Sequence, residues 1–232
     1  MNTQISWEKG LYNEVVTEDC YKINKIDFIP SVVIDLGANI GVFSSFIRSK
    51  FPECKIIAVE PDADNYKILQ QRFGNDKLAV LINNPIGTTD APLYKELNSG
   101  GTGAMYYNSG EYFIEEIVNS DPKSREKYLV TPVTLPDLLS IYTNEKDRIL
   151  LKVDIEGNEC IFFNNDTILE KLKNIDYICM EIHLFASNHE LVQKLREQAL
   201  EFISKLNSSH FCRIDGNNDV KRHIDLIATK RQ

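Results

Sequence analysis

Two acidic residues and two glycines near the start of the chain have the types and spacing of a nucleoside-binding turn. Asp35 ends an apolar run, and Gly37 and Gly41 follow it closely; a second apolar run ends at Glu60 and Pro61. In a strand–turn–helix–strand unit, the glycines let the backbone approach a ligand. An acid that closes the second strand accepts hydrogen bonds from ribose hydroxyls. We therefore predict that Glu60 binds the ribose of a cofactor, with Pro61 beside it in the same turn.

The glycine spacing favours S-adenosylmethionine over NAD as that cofactor. The dinucleotide fingerprint is G-x-G-x-x-G, and its second glycine admits the pyrophosphate, whereas Asn39 stands at that position here. The Asp35 carboxylate would also repel a phosphate, although it would suit an ammonium group. We predict that Gly37 and Gly41 let the backbone approach the cofactor. Asp35 and Asn39 would serve its amino-acid end, directly or through water.

Further polar residues follow the other predicted strands. Asn83 and Asn84 come after the third strand, Asp154 ends the fourth, and His183 ends the fifth. Ligands of such sheets bind at the carboxyl ends of the strands. We predict that Asn83 or Asn84 lies near the adenine. Asp154 would lie beside the transferred methyl group, where it steadies the sulfonium region or acts as a base.

Three residues are candidates for a catalytic role at the reacting centre: Asp154, Glu156 and His183. His183 is a candidate base because histidine titrates near neutral pH, and its alternative is a capping or packing role. For Glu156 the alternative is a solvated or helix-capping acid near a helix N-terminus, and for Glu159 that alternative is favoured. Asp154, Glu181 and His183 could together bind magnesium, but no spacing demands a metal and we predict none.

Apolar runs alternate with amphipathic helical segments along most of the chain, which predicts an α/β fold with helices on both faces of the sheet. The predicted strands cover residues 32–35, 55–60, 78–82, 148–154, 175–182, 210–215 and 224–229. A capping box at 187–190 predicts a helix that continues to residue 206. No long helix separates the last two strands, so we expect them to pair antiparallel across a turn at 216–218. The predicted sheet is therefore seven-stranded and mostly parallel, with an antiparallel C-terminal strand.

Two segments fall outside this alternation of strands and helices. We expect residues 1–30 to cap the sheet, with part of a substrate lid as the alternative. Residues 93–130 contain a glycine-rich loop flanked by tyrosines, which predicts a hairpin or a mobile insertion. This insertion could form a lid or a contact between two copies of the chain. We expect residues 31–232 to form a single domain that carries it.

The composition argues against several classes of protein. The 232 residues carry a net charge of −8 without a basic stripe, which argues against binding to nucleic acid. The five cysteines form no CxxC pair, which fits reduced thiols in the cytoplasm. No apolar run approaches the length of a membrane span, and the first residues lack the apolar core of a signal peptide. An acidic chain of this kind suits a small polar acceptor.

Three motifs resemble those of the FkbM family of S-adenosylmethionine-dependent methyltransferases. They are VIDLGANIG at 33–41, AVEPD at 58–62 and LKVDIEGNE at 151–159. The resemblance covers roughly residues 30–185 and is weaker over 90–130. It implies a Rossmann-like class I methyltransferase fold with S-adenosyl-L-methionine as cofactor. It also implies O-methylation of a hydroxyl on a sugar or a natural-product small molecule.

The sequence leaves two alternative functions open. An NAD-dependent sugar-modifying oxidoreductase would share the same strand–helix–strand cradle. However, the third fingerprint glycine is missing, and the sequence offers no Tyr-x-x-x-Lys pair at Tyr66 or Tyr94. A non-catalytic cofactor-binding domain would keep the cradle without turnover. The acids retained at the ends of the first, second and fourth strands argue against this second alternative.

Overall fold

The computed structural model describes residues 3–87, 93–96, 105–108, 125–128, 132–163, 165–184, 189–215 and 223–231. Within these residues the chain forms ten β-strands. They are β1 (Val32–Leu36), β2 (Lys55–Val59), β3 (Ala79–Ile82), β4 (Leu93–Glu96), β5 (Met105–Asn108), β6 (Arg125–Tyr128), β7 (Ile149–Val153), β8 (Tyr177–His183), β9 (His210–Asp215) and β10 (His223–Lys230).

Seven of these strands form one sheet in the order β3-β2-β1-β7-β8-β10-β9. The first five strands in this order run parallel, and β10 pairs antiparallel with both of its neighbours. The predicted seven-stranded, mostly parallel sheet with an antiparallel C-terminal strand is therefore confirmed. From β1 the chain proceeds to β2 and β3 on one side, whereas β7 lies on the other side. This reversal opens a crevice at the carboxyl ends of β1 and β7, where ligands of such sheets bind.

Helices cover both faces of this sheet. The α-helices are α1 (Thr3–Tyr12), α2 (Val42–Lys50), α3 (Ala63–Phe73), α4 (Leu135–Tyr142), α5 (Asp166–Leu172) and α6 (His189–Leu206). Successive strand residues point to opposite faces: Val32, Ile34 and Leu36 join a core with α4, α5 and α6. Val33 joins a second core with α2, α3 and the segment before β1. The site at the sheet edge is therefore supported from both faces.

Side-chain caps fix where three of the helices begin. Asp62 accepts hydrogen bonds from two backbone N–H groups at the start of α3. Thr134 caps α4, and Asn165 caps α5 in the same way. Such caps satisfy N–H groups that have no partner within the helix. The cap predicted for the last helix begins at residue 187, and the turn predicted at 216–218 follows β9; both lie outside the described residues.

The segment before β1 is helical. After α1 the chain continues as a π-helical turn (Asn13–Thr17) and a 3₁₀ turn (Ile23–Lys25). Val15, Tyr21 and Ile23 are buried against the sheet. The segment therefore packs on the sheet face that α2 also covers.

Part of the region predicted as an insertion is a separate antiparallel sheet of β4, β5 and β6, with β4 in the centre. A short 3₁₀ helix (Asn158–Phe162) follows β7, and β5 lies against it. The small sheet is thus placed beside the loop that carries Glu156 and Glu159.

Candidate active site

Two glycines of the loop after β1 are required by the atoms that pack against them. Gly37 has a φ of +77°, and a Cβ atom there would lie 1.8 Å from the carbonyl oxygen of Asp154. Gly41 has a φ of +84°, and a Cβ atom there would lie 2.8 Å from the Leu69 side chain. Only glycine adopts such backbone angles without strain and leaves this space open. The loop therefore brings the ends of β1 and β7 into direct contact.

Asn39 occupies the position where the dinucleotide fingerprint has a glycine, and its backbone is left-handed with a φ of 52°. Asparagine tolerates this conformation better than most residues, because its short side chain bonds locally. Here the Oδ1 atom accepts a hydrogen bond of 2.7 Å from the Ile40 N–H. The Asn39 N–H in turn donates to Glu60 Oε2 at 2.7 Å. The loop is thus tied to the end of β2.

Glu60 lies just after β2 and is 5% exposed. Its Oε1 atom accepts a hydrogen bond of 2.8 Å from the Asp62 N–H. Burial raises the pKa of Glu60 to about 7, although the hydrogen bonds from Asp62 and Asn39 act in the opposite direction. Because a carboxylate has more than two acceptor positions, Glu60 retains capacity for ligand hydroxyls in the cleft that it lines.

A cleft runs across the ends of β1, β2 and β7. Its described lining includes Gly37, Asn39, Glu60, Pro61, Pro85 and Ile86. Five of the predicted cofactor residues therefore line this cleft: Gly37, Asn39, Glu60, Pro61 and Asp154. Gly41 lies behind the loop, at the start of α2.

The residues after β3 contribute differently from the prediction. The Asn83 side-chain amide donates to the carbonyl oxygens of Glu60 and Pro61, at 2.8 and 3.2 Å. Neither Asn83 nor Asn84 is among the described residues that line the cleft. Pro85 and Ile86 take that place, and Asn158 holds the Ile86 carbonyl oxygen through a hydrogen bond of 2.6 Å. Asn83 therefore supports the turn around Glu60.

A buried lysine joins β1 to β7. Lys152 lies opposite Asp35 in the register of the two strands, and its Nζ atom is 3.4 Å from Asp35 Oδ1. The same Nζ donates to the Gly37 carbonyl oxygen at 2.7 Å. Asp35 is fully buried and also accepts a hydrogen bond of 2.7 Å from the Ser44 hydroxyl. The Asp35 carboxylate therefore lies beneath the glycine loop, where it supports Lys152.

Asp154 receives two donors at one oxygen. The Tyr21 hydroxyl donates to Asp154 Oδ2 at 2.9 Å, and Lys152 Nζ lies 3.4 Å from the same atom. Burial alone would raise the pKa of Asp154, but the Lys152 and His183 charges and the Tyr21 hydrogen bond lower it. Asp154 is therefore an oriented carboxylate that stays ionised at neutral pH.

Glu159 is fully buried at the start of the 3₁₀ helix, so it is not a solvated acid, and of the predicted alternative only the helix-capping role agrees with its position. Its carboxylate accepts hydrogen bonds from the Ile155 and Gly157 N–H groups, at 2.9 and 3.0 Å. Its Oε1 atom also lies 3.2 Å from His183 Nδ1. Glu159 thus fixes the loop after β7 and the ring of His183 at the end of β8.

The charges around His183 favour its protonated form. Burial lowers its pKa, but the neighbouring carboxylates of Glu159, Asp154 and Glu181 outweigh burial and raise the pKa to about 10. Its Nε2 atom lies 3.6 Å from Glu156 Oε2 and 3.5 Å from Glu181 Oε1. A protonated ring has no lone pair for a further proton, so these carboxylates disfavour His183 as the base. A near-neutral titration, expected from the residue type alone, is opposed by the charges of Glu159, Asp154 and Glu181.

A second cavity, of about 440 Å³, adjoins the cleft. Gly37, Asn39, Asp154 and Glu156 line both spaces. The segment before β1 contributes its other wall through Trp7, Leu11, Glu14, Val15 and Tyr21. The N-terminal segment therefore belongs to the site as well as to the cap.

Two further carboxylates of this cavity have raised pKa values. Burial, with the Asp154 carboxylate, raises the pKa of Glu156 to about 7. Burial, with the Asp154, Asp225 and Glu14 carboxylates, raises the pKa of Glu181 to about 8. Groups that titrate near neutral pH are suited to accept a proton in a reaction.

Two sets of side chains have possible metal-ligating atoms within 4.8 Å of one another. They are Asp154, Glu159 and His183, and Glu181, His223 and Asp225. In the first set, Glu159 already accepts two backbone N–H groups. The absence of a metal cofactor stays a prediction.

A family model described as "Methyltransferase FkbM domain" matches residues 35–203, which is most of the chain. The chain belongs to the FkbM methyltransferase family. The resemblance carried by the three sequence motifs is thereby confirmed. The matched span contains β1, the glycine loop, Glu60 and the loop after β7. The residues that line the cleft therefore lie within the matched span, whereas the N-terminal segment that lines the adjoining cavity precedes it.

Two curated relatives support this membership. The FkbM-family chain is 31% identical over 188 residues to Methyltransferase sdnD of Sordaria araneosa, covering 72% of this chain and 68% of that protein. It is 24% identical over 160 residues to Methyltransferase 1 of Beauveria bassiana (strain ARSEF 2860), covering 64% of this chain and 63% of that protein. The chain thus spans about two thirds of the length of these relatives.

The fold is similar to that of a solved member of the family. Methyltransferase FkbM from Methylobacillus flagellatus KT matches with a TM-score of 0.51 and 12% identity, over 94% of this chain and 47% of that one. This match supports the Rossmann-like methyltransferase fold. Among the described residues, no helix combines the length and the hydropathy needed to cross a membrane.

Sequence reasoning missed Lys152, Tyr21 and Glu14 as parts of the site. The sequence does contain a signal for Lys152, because a charged residue inside an otherwise apolar strand needs a buried partner. Tyr21 and Glu14 left none, since they precede β1 and meet Asp154 and Glu181 only in the folded chain.

We predict that His183 remains an imidazolium up to about pH 10. Spectra of protein labelled with ¹⁵N-histidine should show both of its ring nitrogens protonated at pH 8. Its pKa in the folded chain lies above the ordinary 6.5, so its contribution to stability is complete below pH 6.5. That contribution disappears as the pH rises towards 10. Glu159→Gln should lower the pKa of His183, because it removes one of the negative charges that offset the effect of burial.

His210 provides the control within the same spectrum. Burial lowers its pKa, so its ring should be neutral at pH 8, and His183→Gln identifies the His183 signals. A His183 ring that loses its proton below pH 7 would contradict this electrostatic description of the site.

Proposed function

We propose that this FkbM-family chain is an S-adenosylmethionine-dependent methyltransferase. It would methylate a hydroxyl group of a small molecule, of the sugar or natural-product class, by in-line transfer. The observation that carries the proposal is the joint placement of Glu60 and Asp154. One lies in a cleft suited to a nucleoside, and the other lies where that cleft meets the larger cavity. The family membership supports the reaction class.

The residues of the cleft fit this cofactor. Glu60 would accept the ribose hydroxyls, and Pro61 and Ile86 offer apolar surface for the adenine. Gly37 and Asn39 would face the amino-acid end. The carboxylates of Asp154 and Glu156 border this space, and they would repel a pyrophosphate but attract a sulfonium. This charge favours S-adenosylmethionine over NAD.

Glu156 is the residue we assign as general base. The cofactor, when bound, supplies an electrophilic methyl group, and the chain must orient the acceptor and remove its proton. Glu156 lines both spaces, and its pKa of about 7 matches the task. Asp154 is a weaker base because Lys152 and Tyr21 hold it ionised, so we assign it to the sulfonium side. His183 positions Glu156 as a neighbouring cation.

The thiols agree with a reducing compartment. All five cysteines of the chain, Cys20, Cys54, Cys160, Cys179 and Cys212, are free. Disulfides persist in oxidising compartments and are rare in the cytosol. We therefore propose a cytoplasmic location.

Calorimetric titration with S-adenosylmethionine tests the cofactor. We expect binding in the micromolar range, and Glu60→Ala should weaken it at least about tenfold, because hydrogen bonds to a charged group are lost. Glu53→Ala is the matched control, since Glu53 is an exposed acid that precedes β2 and should leave the affinity unchanged. Binding of NAD instead, or of neither compound, would contradict the proposal.

The pH dependence of methyl transfer tests the base. With an accepted hydroxyl compound, the release of S-adenosylhomocysteine should increase as the pH rises through about 7, because Glu156 must be ionised. Glu156→Gln should reduce the rate about 100-fold or more and leave the affinity for S-adenosylmethionine nearly unchanged. A full rate with the same pH profile in Glu156→Gln would refute the assignment of Glu156.

A further inference from the structure

The larger cavity is lined by more acidic side chains than cationic ones. Its described lining includes four carboxylates, those of Glu14, Asp154, Glu156 and Glu181, and two cations, Lys152 and His183. The carboxylates come from three parts of the chain: the π-helical turn, the loop after β7, which carries both Asp154 and Glu156, and β8. Three separate segments therefore direct acidic groups to one space.

The two cations of the cavity are already engaged. Lys152 lies between Asp35 and Asp154, 3.4 Å from an oxygen of each. His183 contacts Glu159, a buried carboxylate behind the cavity wall. Among the lining residues that the structure describes, Glu14, Glu156 and Glu181 are thus the acidic groups in excess of these two cations. Glu156 and Glu181 also lie 3.6 and 3.5 Å from His183 Nε2.

S-adenosylmethionine does not cancel this excess. Its sulfonium and ammonium groups are positive and its carboxylate is negative, so it adds one net positive charge. Like charges that face each other in a partly buried space disfavour ionisation. Their effect is visible at Glu181, where burial and the Asp154, Asp225 and Glu14 carboxylates raise the pKa. A second positive group would relieve this repulsion.

Aromatic side chains share the cavity with the carboxylates. Trp7, Tyr21 and Phe43 line the same cavity, and the rings of Tyr21 and Phe43 meet edge to face with centroids 5.3 Å apart. Aromatic faces attract organic cations within a partly dry pocket. A cavity lined by both rings and carboxylates therefore favours an ammonium group over a neutral or anionic one.

We infer that the methyl acceptor carries a protonated amine in addition to its hydroxyl, as amino sugars and amino alcohols do. Glu14 at the cavity mouth and Glu181 at the end of β8 would hold the ammonium group. Glu156 would then take the proton of the hydroxyl that receives the methyl group. This inference rests on the proposed function and specifies its substrate class.

A metal ion suits this space less well than an ammonium group. In the set of Glu181, His223 and Asp225, the imidazole lies between the two acids. Its Nδ1 atom is 3.9 Å from Glu181 Oε1, and its Nε2 atom is 3.7 Å from Asp225 Oδ1. The described lining of the cavity includes Glu181 but neither His223 nor Asp225, so this set of ligands does not place a metal within the cavity.

Fluorescence of Trp7 provides a direct test, because it is the one tryptophan of the chain and lines the cavity. Protein saturated with S-adenosylhomocysteine is titrated with glucosamine and ethanolamine, and separately with N-acetylglucosamine and N-acetylethanolamine. We expect the ammonium compounds to bind at least about tenfold more tightly than their acetylated counterparts, since only they can pair with the carboxylates.

Variants then locate the ammonium group. Glu14→Gln and Glu181→Gln should each weaken binding of the ammonium compounds severalfold and leave the affinity for S-adenosylhomocysteine unchanged. Glu18→Gln, an exposed acid of the same N-terminal segment that does not line the cavity, should change neither.

Three outcomes would overturn the inference. They are equal binding of acetylated and ammonium compounds, no binding of either in protein that binds the cofactor, and displacement of the amines by Mg²⁺ or Mn²⁺. Failure to bind S-adenosylmethionine or S-adenosylhomocysteine at all would instead refute the proposed function, so the two failures are distinguishable.

Discussion

Lys152 is a charged side chain inside the sheet, and the position of the reacting groups depends on how its charge is balanced. It lies between Asp35 on β1 and Asp154 just after β7, and it also holds the Gly37 carbonyl oxygen. Removing one member of such a buried group leaves an uncompensated charge, at a cost of about 3–5 kcal/mol. The network therefore fixes the spacing of β1 and β7, the path of the glycine loop, and the orientation of Asp154.

The same electrostatics decide which residue can act as a base. Because Lys152 and Tyr21 keep Asp154 ionised, this carboxylate is a poor proton acceptor but a suitable neighbour for a sulfonium. Glu159 and the adjacent acids keep His183 protonated. Glu156 remains, with a pKa near neutrality and a place in both spaces. The division of roles among these residues thus follows from burial and charge, and residue type alone would favour the histidine.

The fold and the nucleoside cleft could be predicted from the sequence because their signals are local. The apolar runs, the glycine loop and the acid at Glu60 lie within a short stretch, and strand–helix alternation determines which edge of the sheet they share. The pairing of Lys152 with Asp35, and of Tyr21 with Asp154, could not be predicted in this way. These partners are distant in the sequence, and only strand register and the path of the N-terminal segment bring them together. Asn83 shows a further limit of prediction from the sequence. Its position after β3 correctly indicates that it lies near Glu60, but its hydrogen bonds to the turn around Glu60 depend on the exact course of that turn.

A crystal structure of the chain with S-adenosylhomocysteine would test the central claim most directly. We predict that the ribose hydroxyls bond to Glu60 and that the sulfur atom lies beside Asp154. The sulfur atom should face the cavity lined by Glu14, Glu156 and Glu181, and Lys152 should keep its contacts with Asp35 and Asp154. A ligand whose sulfur points away from this cavity, or whose ribose lies apart from Glu60, would contradict this placement of the cofactor.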